Sequence, residues 1–588
     1  MCGINGIVSF HASAPPVDVE ELMRTREAMR SRGPDAAGIW ISPDGRAGLG
    51  HRRLSIIDVS ERANQPMVDG DLVLTFNGEI YNYRELRGDE AYETASDSEV
   101  LLRMYRKFGA AMLPRLRGMF AFAIWDAQAN SLFLARDPYG IKPLYYANDG
   151  RTFRFASQAK ALLTTVSSSR DPAGVAGFLL RGHVPEPFTI YEDIRMLPAG
   201  SWMMVTRDGA SEPQPYFSIA EVLRDAVNER RRYREDERAA IIADGVRESV
   251  RYHLVSDVPV GGFLSAGRDS GSIVGLAAET DHPLQTITMR FEGQANDETQ
   301  LAEVVAKQYG MTHHTATLSR DRFRAQLPRA LEAMDQPTLD GLNSYFVSAA
   351  AAELGWKVAL SGTGGDELFG GYSTFRTIPR FVRAVRPFRR LAAPFRDVYR
   401  RIARGPRFSP KTAYTLQYCA SYEGAYLLKR GLFLPEEIAS IVGEEMAEEG
   451  LRRLNLLDRI RDTITPDPGT PFARIAAMES ALLLRNQLLR DIDWASMAHS
   501  LEVRVPLVDA FLLRRIASAV FSTNKRDGKE LLARAPHRPL PRAVLTRKKT
   551  GFIIPNVAWL EDRRHIGHHF GMRPWALYIL EAGGHAKV

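Results

Sequence analysis

The second residue of the chain is a cysteine, Cys2. If the initiator methionine is removed, this residue carries both a thiol and a free α-amine. An α-amine titrates near pH 7.7–8.0, so around neutral pH it can take the proton of its own side chain and activate the sulfur as a nucleophile. A cysteine also occurs at position 2 by chance. Cys2 therefore predicts a nucleophile only together with neighbouring residues of matching chemistry.

Two glycine-rich turns, each containing an aspartate, follow short apolar runs later in the chain. The first turn covers residues 263–271 (FLSAGRDSG) and the second covers residues 360–372 (LSGTGGDELFGGY). Small residues at a strand-to-helix turn let backbone N–H groups approach a phosphate at the positive end of the helix. One such turn alone is also typical of a plain tight turn. Two on one sheet could cradle a pyrophosphate, with Mg²⁺ held by Asp269 and Asp366.

The elements that must position these residues differ between the two halves of the chain. Up to Phe217, short β-type runs alternate with Gly, Pro, Asp and Asn clusters, which is typical of antiparallel sheet with turns. Residues 21–30 and 97–108 have helical spacing instead. The pattern predicts a layered α+β domain over residues 1–217 and a charged connector or exposed helix over residues 218–238.

Beyond the connector, helices alternate with short buried strands, which indicates βα units on a parallel sheet with ligands at the carboxyl ends of the strands. The second domain is predicted over residues 239–588 and becomes mostly helical after about residue 380. Residues 376–404 contain ten arginines and one acid, Asp397, with interleaved apolar residues. We interpret this stretch as an amphipathic helical pair with a basic solvated face, and a polyanion-binding patch is the alternative.

Composition limits the class of protein. The chain has 588 residues, 45% of them hydrophobic and 25% charged, so neither a disulfide scaffold nor a disordered protein fits. Two cysteines and no apolar run of 18 residues favour a cytoplasmic protein without disulfides or a membrane partner. The net charge of +7 is small for this length and does not by itself indicate nucleic acid.

The sequence after Cys2 resembles the class II glutamine amidotransferase domain, an N-terminal-nucleophile glutaminase with αββα layers. The resemblance covers the whole first domain and rests on five phrases in order: CGING at 2–6, RGPD at 32–35, HRRLSI at 51–56, NGEIYN at 77–82 and SD at 96–97. It implies that Cys2 attacks the side-chain amide of glutamine, forms a thioester and releases ammonia.

The same resemblance implies roles for the residues around the nucleophile. Asn77 would contact the substrate and, with the backbone N–H of Gly78, form the oxyanion hole. Arg53 would pair with the α-carboxylate of glutamine, while Glu79 and Asp97 would hold its amino end. These roles suit the chemistry, because a tetrahedral oxyanion needs preorganised donors and a zwitterion needs one cation and one anion placed apart. We interpret His51 as a packing residue, since the amine serves as the base.

The second half resembles the synthetase domain of asparagine synthase, an ATP pyrophosphatase fold that activates a carboxylate as its adenylate. Further matching phrases are SDVP at 256–259, DQP at 335–337, SMAHSLEVRVP at 496–506 and RKKTGF at 547–552. The cofactors implied are ATP and Mg²⁺, and Lys549 would steady charge at the reacting centre. The residues implied to bind ATP are Leu264, Ser265, Gly267, Asp269, Ser270, Met289, Ser361, Gly362 and Asp366.

Several positions depart from the family pattern. In the first turn Ala266 and Gly271 replace a glycine and a serine, which predicts weakened rather than abolished ATP binding. Thr363 stands where better-known members have a glutamate, and the arginine that those members place near Asp340 is missing. Arg485 or Arg490 are candidates to replace that arginine. The reaction class is thus better determined than the acceptor.

The leading hypothesis is glutamine- and ATP-dependent amidation of a carboxylate, nominally L-aspartate, with ammonia passing through an internal channel. Amidation of a sugar acid or a natural-product intermediate is the alternative within the same class. A degenerate, non-catalytic homologue is a second alternative, and a nucleic-acid binder is the least favoured. The expected partners are small-molecule substrates and, for the oligomer, a second copy in a homodimer.

Overall fold

The computed structural model describes most of the chain. The described residues are 2–89, 91–280, 282, 284–293, 298–388, 399, 410–522, 527–547, 554, 559 and 572–582. Lys549 and much of the basic stretch after Phe388 lie outside them, so the predictions made there stay predictions. Both cysteines are buried free thiols. Within the described segments, no helix is long and apolar enough to cross a membrane.

The first domain is built on two antiparallel sheets. The strands are β1 (Gly3–Ser9), β2 (Ala36–Ile41), β3 (Ala47–Arg53), β4 (Met67–Asp69), β5 (Leu72–Ile80), β6 (Gly118–Asp126), β7 (Ser131–Arg136), β8 (Tyr145–Asn148), β9 (Thr152–Ala156), β10 (Arg195–Met196), β11 (Ser201–Thr206), β12 (Gly209–Ala210) and β13 (Gln214–Pro215). One sheet has the order β10-β8-β9-β1-β3-β2. The other has the order β12-β11-β7-β6-β5-β4, with β13 beside β11.

Helices cover these sheets. They are α1 (Val19–Glu27), α2 (Tyr83–Arg87), α3 (Asp97–Phe108), α4 (Ala159–Leu162) and α5 (Pro172–Arg181). Helix α1 contacts β1 and β3, α3 contacts β5, and a buried apolar cluster lies between the two sheets. The predicted helix at 97–108 is confirmed, and the one at 21–30 is observed as α1 followed by a short 3₁₀ turn. The predicted αββα layering is therefore confirmed.

The segment predicted as a charged connector or exposed helix is mostly helical. It contains α6 (Ile219–Asn228) and the start of α7 (Glu235–His253). Arg238 is buried and donates two hydrogen bonds to the carboxylate of Asp527, at 2.9 and 2.7 Å. Exposure is wrong for this residue of the helix, because a partner almost three hundred residues away neutralises its charge and allows its burial.

The second domain contains a parallel five-stranded sheet with the order β16-β15-β14-β17-β18. Its strands are β14 (Val260–Phe263), β15 (Gln285–Phe291), β16 (Thr312–Leu318), β17 (Val358–Leu360) and β18 (Glu502–Arg504). The helices associated with the sheet are α8 (Arg268–Ala277), α9 (Thr299–Gln308), α10 (Arg320–Ala333), α11 (Leu342–Glu353) and α12 (Gly365–Phe369). The two glycine-rich turns follow β14 and β17, which are neighbours, so both turns lie at one edge of the sheet.

The rest of the second domain is helical, as predicted. Its α-helices are α13 (Thr374–Val385), α14 (Thr415–Tyr418), α15 (Tyr422–Arg430), α16 (Pro435–Val442), α17 (Glu444–Leu454), α18 (Leu456–Asp462), α19 (Pro471–Met478), α20 (Arg490–Met497), α21 (Ala510–Phe521), α22 (Gly528–Ala533), α23 (Arg542–Thr546) and α24 (Arg573–Ala582). A π-helix, Glu479–Leu489, joins α19 to α20. One continuous apolar core includes residues of both domains.

Candidate active site

Cys2 lies directly before β1, on the side of the first domain that meets the second. Its side chain is buried, and burial raises the pKa of the thiol above its usual value. A hydrogen bond from the backbone N–H of Leu54 opposes that rise. The sulfur is thus protonated at neutral pH and needs a base before it can attack a carbonyl.

Asn77, on β5, faces the backbone nitrogen of Cys2. The Cys2 N–H donates to Asn77 Oδ1 at 3.0 Å, which fixes the orientation of the side-chain amide. The Nδ2 group of Asn77 is buried and has no hydrogen-bond partner among the described residues. A buried amide donor without a partner costs about 1–3 kcal/mol, so the arrangement is typical of a site that a ligand oxygen completes. Gly78 follows on the same strand, paired with Phe120.

Glu79 and Asp97 form a buried acidic pair. The Oδ2 atom of Asp97 accepts the Ile80 N–H at 2.9 Å, and Ser96 caps the helix that begins at Asp97. Burial raises the pKa of Asp97 to about 6. Burial, together with the charges of Glu502 and Asp97, raises the pKa of Glu79 well above its ordinary value.

The negative charges around Glu79 are therefore only partly neutralised by the cations described near it. The nearest cation described is Arg504, whose Nη2 lies 3.8 Å from Glu79 Oε1, and Oε2 of Glu79 has no hydrogen-bond partner in the described part of the chain. An incoming ammonium group would relieve the penalty of burying these carboxylates.

Arg53 is a buried cation, in contrast to the acidic pair. Its guanidinium donates to Ser60 O at 2.7 Å, to Asn64 Oδ1 at 2.8 Å and to the carbonyl oxygen of Asp58. Its hydrogen-bond acceptors among the described residues are all carbonyl or amide oxygens. Arg53 is thus a buried cation held by neutral acceptors, which suits it to a ligand carboxylate.

His51 is completely buried on β3. Its Nδ1 lies 3.1 Å from Thr75 Oγ1, and burial lowers the pKa of its imidazole to about 3. A ring that stays neutral in the core agrees with its interpretation as a packing residue.

The two turns of the second domain touch each other. In the first turn Ser265 Oγ and Ser270 Oγ are 2.9 Å apart, and Gly267 N–H donates to Ser265 Oγ at 3.2 Å. A Cβ placed on Gly362 of the second turn would lie 2.6 Å from the backbone nitrogen of Ser270. Glycine at this position therefore allows the backbones of the two turns to meet. Ser361 Oγ lies 2.9 Å from the hydroxyl of Thr363.

Asp269 and Asp366 converge on Lys529, a residue of α22 that the sequence did not single out. The ammonium group lies 2.8 Å from Asp366 Oδ1 and also donates to Asp269 Oδ2. These two carboxylates raise the pKa of Lys529 against the effect of burial. The two glycine-rich turns predicted that both aspartates lie together. No motif around Lys529 indicated that a lysine lies between them.

Leu264 and Met289 lie beside the first turn. Leu264 is buried, with its N–H donating to Ile287 O at 2.9 Å, and Met289 is almost buried on β15. Leu264 directly follows β14, and Met289 lies on the neighbouring strand.

The departures in the first turn have local explanations. Gly271 lies on α8, and a Cβ placed on it would lie 2.9 Å from Leu540 Cδ2, so close packing against Leu540 favours glycine at this position. The expectation that the altered turn weakens ATP binding stays a prediction. Ala266 is not among the described residues with positive φ, so its N–H is available as a glycine N–H would be.

Arg485 and Arg490, the candidates to replace the missing arginine, both contact the first domain. Arg485 pairs with Glu186 at 3.2 Å, and Arg490 donates to Val184 O at 2.8 Å, so both hold the boundary with the first domain. Near Asp340 lies a second buried acid, Asp491, which accepts hydrogen bonds from Thr338 and from the indole of Trp494. Burial and the charge of Asp340 raise the pKa of Asp491 well above its ordinary value.

The fold and the two sites define a class of protein: a glutamine amidotransferase domain joined to an ATP-type synthetase domain. Residues 1–217 match the glutamine amidotransferase domain family model, and residues 242–570 match the asparagine synthase model. The chain belongs to the asparagine synthase family. It is a glutamine-dependent ligase.

Named relatives cover nearly the whole chain. Asparagine synthetase [glutamine-hydrolyzing] 1 of Bacillus subtilis (strain 168) is 34% identical over 99% of this chain and 90% of its own length. A putative asparagine synthetase of Mycobacterium tuberculosis is 34% identical over 95% of this chain and 88% of its own. Amidase chry2 of Gibberella zeae is 30% identical over 64% of this chain and 60% of its own.

Likeness to solved structures is more remote. The glutamine phosphoribosylpyrophosphate amidotransferase from B. subtilis, complexed with ADP and GMP, is 16% identical with a TM-score of 0.28, over 53% of this chain and 65% of that chain. That likeness is too weak to assign any residue.

The acidic pair predicts a pH dependence of glutamine binding. In the Cys2→Ala protein, which lacks the thiol expected to consume glutamine, we expect the affinity for glutamine to fall about tenfold per pH unit below pH 6. The reason is that protonated Asp97, whose pKa is raised to about 6, cannot pair with an ammonium group. Isothermal titration calorimetry between pH 5 and 8 measures this.

Asp97→Asn, in the same Cys2→Ala background, supplies the control. The variant keeps the acceptor for Ile80 N–H, so we expect weak binding at every pH and a flatter profile near pH 6. Equal profiles for the two proteins would remove Asp97 from the glutamine site.

Proposed function

We propose that the chain hydrolyses glutamine at Cys2 and uses the ammonia to amidate a carboxylate that ATP has activated in the second domain. The observation that carries the first half is the buried, unpartnered Nδ2 of Asn77 beside the backbone nitrogen of Cys2. A preorganised donor next to a nucleophile that needs a base is the arrangement that amide hydrolysis requires.

The glutaminase step begins with removal of Met1, which frees the Cys2 amine. The amine takes the thiol proton, and the sulfur attacks the δ-carbonyl carbon of glutamine. Asn77 Nδ2 and the Gly78 N–H hold the oxyanion, and the protonated amine gives its proton to the departing nitrogen, so ammonia leaves. Water then hydrolyses the thioester to glutamate and restores the thiol.

Binding of glutamine follows from the charges of the site. The α-carboxylate pairs with Arg53, which has only neutral acceptors around it. The ammonium end meets Glu79 and Asp97, whose burial makes an additional positive charge favourable. Placing the two ends of a zwitterion at separate, opposite charges selects an amino acid and fixes the amide at Cys2.

The second site binds ATP across the two turns. Backbone N–H groups and hydroxyls of both turns face the phosphates, and Leu264 and Met289 contact the adenine. The residues of the turns in this role are Ser265, Gly267, Ser270, Ser361 and Gly362. This assignment is supported by the contact between the turns at Gly362 and by their place at the carboxyl edge of the sheet.

Asp269 and Asp366 fit Mg²⁺, because they supply hard oxygen donors and already hold a cationic group, Lys529, between them. When bound there with ATP, the ion would neutralise phosphate charge and assist departure of pyrophosphate. Among the described residues, Lys529 is the cation best placed to stabilise the negative charge of the phosphates. Lys549, for which the resemblance implies that role, stays a prediction.

Amidation proceeds in two displacements. An oxygen of the acceptor carboxylate attacks the α-phosphorus of ATP, forming the acyl-adenylate as pyrophosphate leaves. Ammonia then attacks the acyl carbon, AMP leaves and the amide loses a proton. A carboxylate alone resists ammonia, so adenylation supplies the leaving group that the reaction needs.

L-aspartate is the first acceptor to consider, since the named relatives are asparagine synthetases. A different carboxylate is the second candidate, favoured by one observation: a second buried acid, Asp491, lies near Asp340, while Arg485 and Arg490 are bonded to Glu186 and to the Val184 carbonyl of the first domain. A buried, unpaired α-carboxylate costs several kcal/mol, so an acceptor without this group is better suited to the pocket.

Cys2→Ala tests whether ammonia release and amidation take place in separate domains. We expect it to abolish glutamine-dependent amidation and to leave ammonia-dependent amidation within about twofold, because the nucleophile acts only in liberating ammonia. Pyrophosphate release is measured with each nitrogen source in turn. If glutamine still supports the reaction, Cys2 is not the nucleophile.

Asp269→Asn and Asp366→Asn test the phosphate site. Each removes a hard ligand, so we expect pyrophosphate release to fall by at least about 100-fold while glutamine hydrolysis persists. Asp467→Asn, which changes an exposed aspartate paired with Arg474, is the matched control and should retain both activities. Normal pyrophosphate release from either test variant would exclude that residue from the site.

The acceptor is tested by screening carboxylates for glutamine-dependent pyrophosphate release. We expect kcat/KM for L-aspartate to lie about 100-fold or more below that of the preferred acceptor, as a penalty of roughly 3 kcal/mol implies. A kcat/KM for L-aspartate of about 10⁴ M⁻¹s⁻¹ or higher would instead make the chain an ordinary asparagine synthetase.

A further inference from the structure

Arg504 is a completely buried residue at the end of β18 whose side chain reaches the first domain. Its Nε donates to Glu502 Oε1 at 2.5 Å, and its Nη1 donates to the carbonyl oxygens of His253 and Val255, at 2.9 and 2.6 Å. Three hydrogen bonds on two of its nitrogens fix the plane of the guanidinium.

The third nitrogen of Arg504 points towards the glutamine site. Nη2 makes no hydrogen bond within the described residues and lies 3.8 Å from Glu79 Oε1. Glu79 is the carboxylate to which the proposed function assigns the ammonium end of glutamine. Arg504 and a bound glutamine would thus compete for the same carboxylate.

The backbone of Arg504 belongs to the second site. Its carbonyl oxygen accepts the N–H of Ser361 at 2.8 Å, and it pairs with Leu360 in the parallel sheet. Ser361 opens the turn that contacts Ser270 through Gly362. One residue therefore contacts a glutamine-binding carboxylate with its side chain and a phosphate-binding turn with its main chain.

We propose that Arg504 is a positioning residue that couples occupancy of the glutamine site to nucleotide binding in the synthetase domain. The inference rests on the proposed function. An ammonium group bound to Glu79 weakens the electrostatic attraction between Glu79 and the side chain of Arg504. The force that this attraction exerts on the end of β18 therefore changes when glutamine binds. The Ser361 turn, bonded to that strand end, then binds nucleotide differently with and without glutamine.

Linkage makes the coupling measurable as a ratio. If glutamine changes the affinity for nucleotide by some factor, nucleotide changes the affinity for glutamine by the same factor. The test uses the Cys2→Ala protein, so that glutamine stays intact, and α,β-methylene ATP with Mg²⁺, which cannot release pyrophosphate. Calorimetry gives the nucleotide Kd with and without saturating glutamine.

We expect the two Kd values of the Cys2→Ala protein to differ by at least about fivefold. Adding Arg504→Lys should reduce the difference to less than about twofold, because lysine keeps the charge but cannot bond Glu502 and two carbonyls while facing Glu79. Adding Arg117→Lys is the control. Arg117 is also buried and bridges the domains, to Asp509 at 2.7 Å and Glu248 at 2.6 Å, and we expect it to keep the fivefold difference.

A second variant keeps the test decisive if Arg504→Lys does not fold. Glu79→Gln preserves the shape of the side chain and removes the charge that Arg504 faces, so the difference should also disappear at saturating glutamine. A fivefold difference that persists in either folded variant, or none in the Cys2→Ala protein itself, overturns the inference. Absence of any glutamine or nucleotide binding by the Cys2→Ala protein contradicts the proposed function instead.

Discussion

Buried ion pairs across the boundary between the domains are the interaction on which the rest of the structure depends. Arg32 places both ends of its guanidinium on Asp493 of the second domain, at 2.8 and 3.1 Å, and its Nε donates to the carbonyl oxygen of Cys2 at 3.1 Å. Losing one partner of such a pair leaves a buried charge, at a cost of about 3–5 kcal/mol. The residue proposed as the nucleophile is thus held by Arg32, which a carboxylate almost five hundred positions from Cys2 orients, and neither domain fully determines the first site alone.

The charges of the two proposed sites match their proposed ligands in different ways. Around Glu79 the buried acids outnumber the nearby cations, so the site favours a ligand that brings a positive end. Arg53 is a cation with only neutral acceptors, so it favours a negative end. At the second site Asp269 and Asp366 share Lys529, and the polyanionic nucleotide proposed there brings further negative charge that a bound Mg²⁺ would offset. The charges of the first site thus match the two ends of its proposed substrate, whereas those of the second suit a nucleotide accompanied by a cation.

Sequence predicted those features that depend on local pattern. Runs of short strands give the two antiparallel sheets, and the segments holding Cys2 and Asn77 come together as expected of the family they resemble. The features it missed depend on contacts between distant residues. Lys529 lies in a helix without a recognisable motif. Arg504 lies in the segment SMAHSLEVRVP, and the spacing of residues there does not indicate a role for the arginine. The reason for Gly271 is Leu540, which sequence alone cannot place beside it.

The same burial that fixes the boundary also favours the transfer proposed across it. Lys142 is completely buried near Asp493, 3.8 Å from its carboxylate, and burial lowers the pKa of its amine despite that neighbour. Ammonia released at Cys2, as proposed, would meet surroundings with similar burial, where desolvation opposes protonation to ammonium. Only the neutral molecule has the lone pair that attacks an acyl-adenylate, so burial along the boundary would preserve the reactivity that the proposed transfer requires.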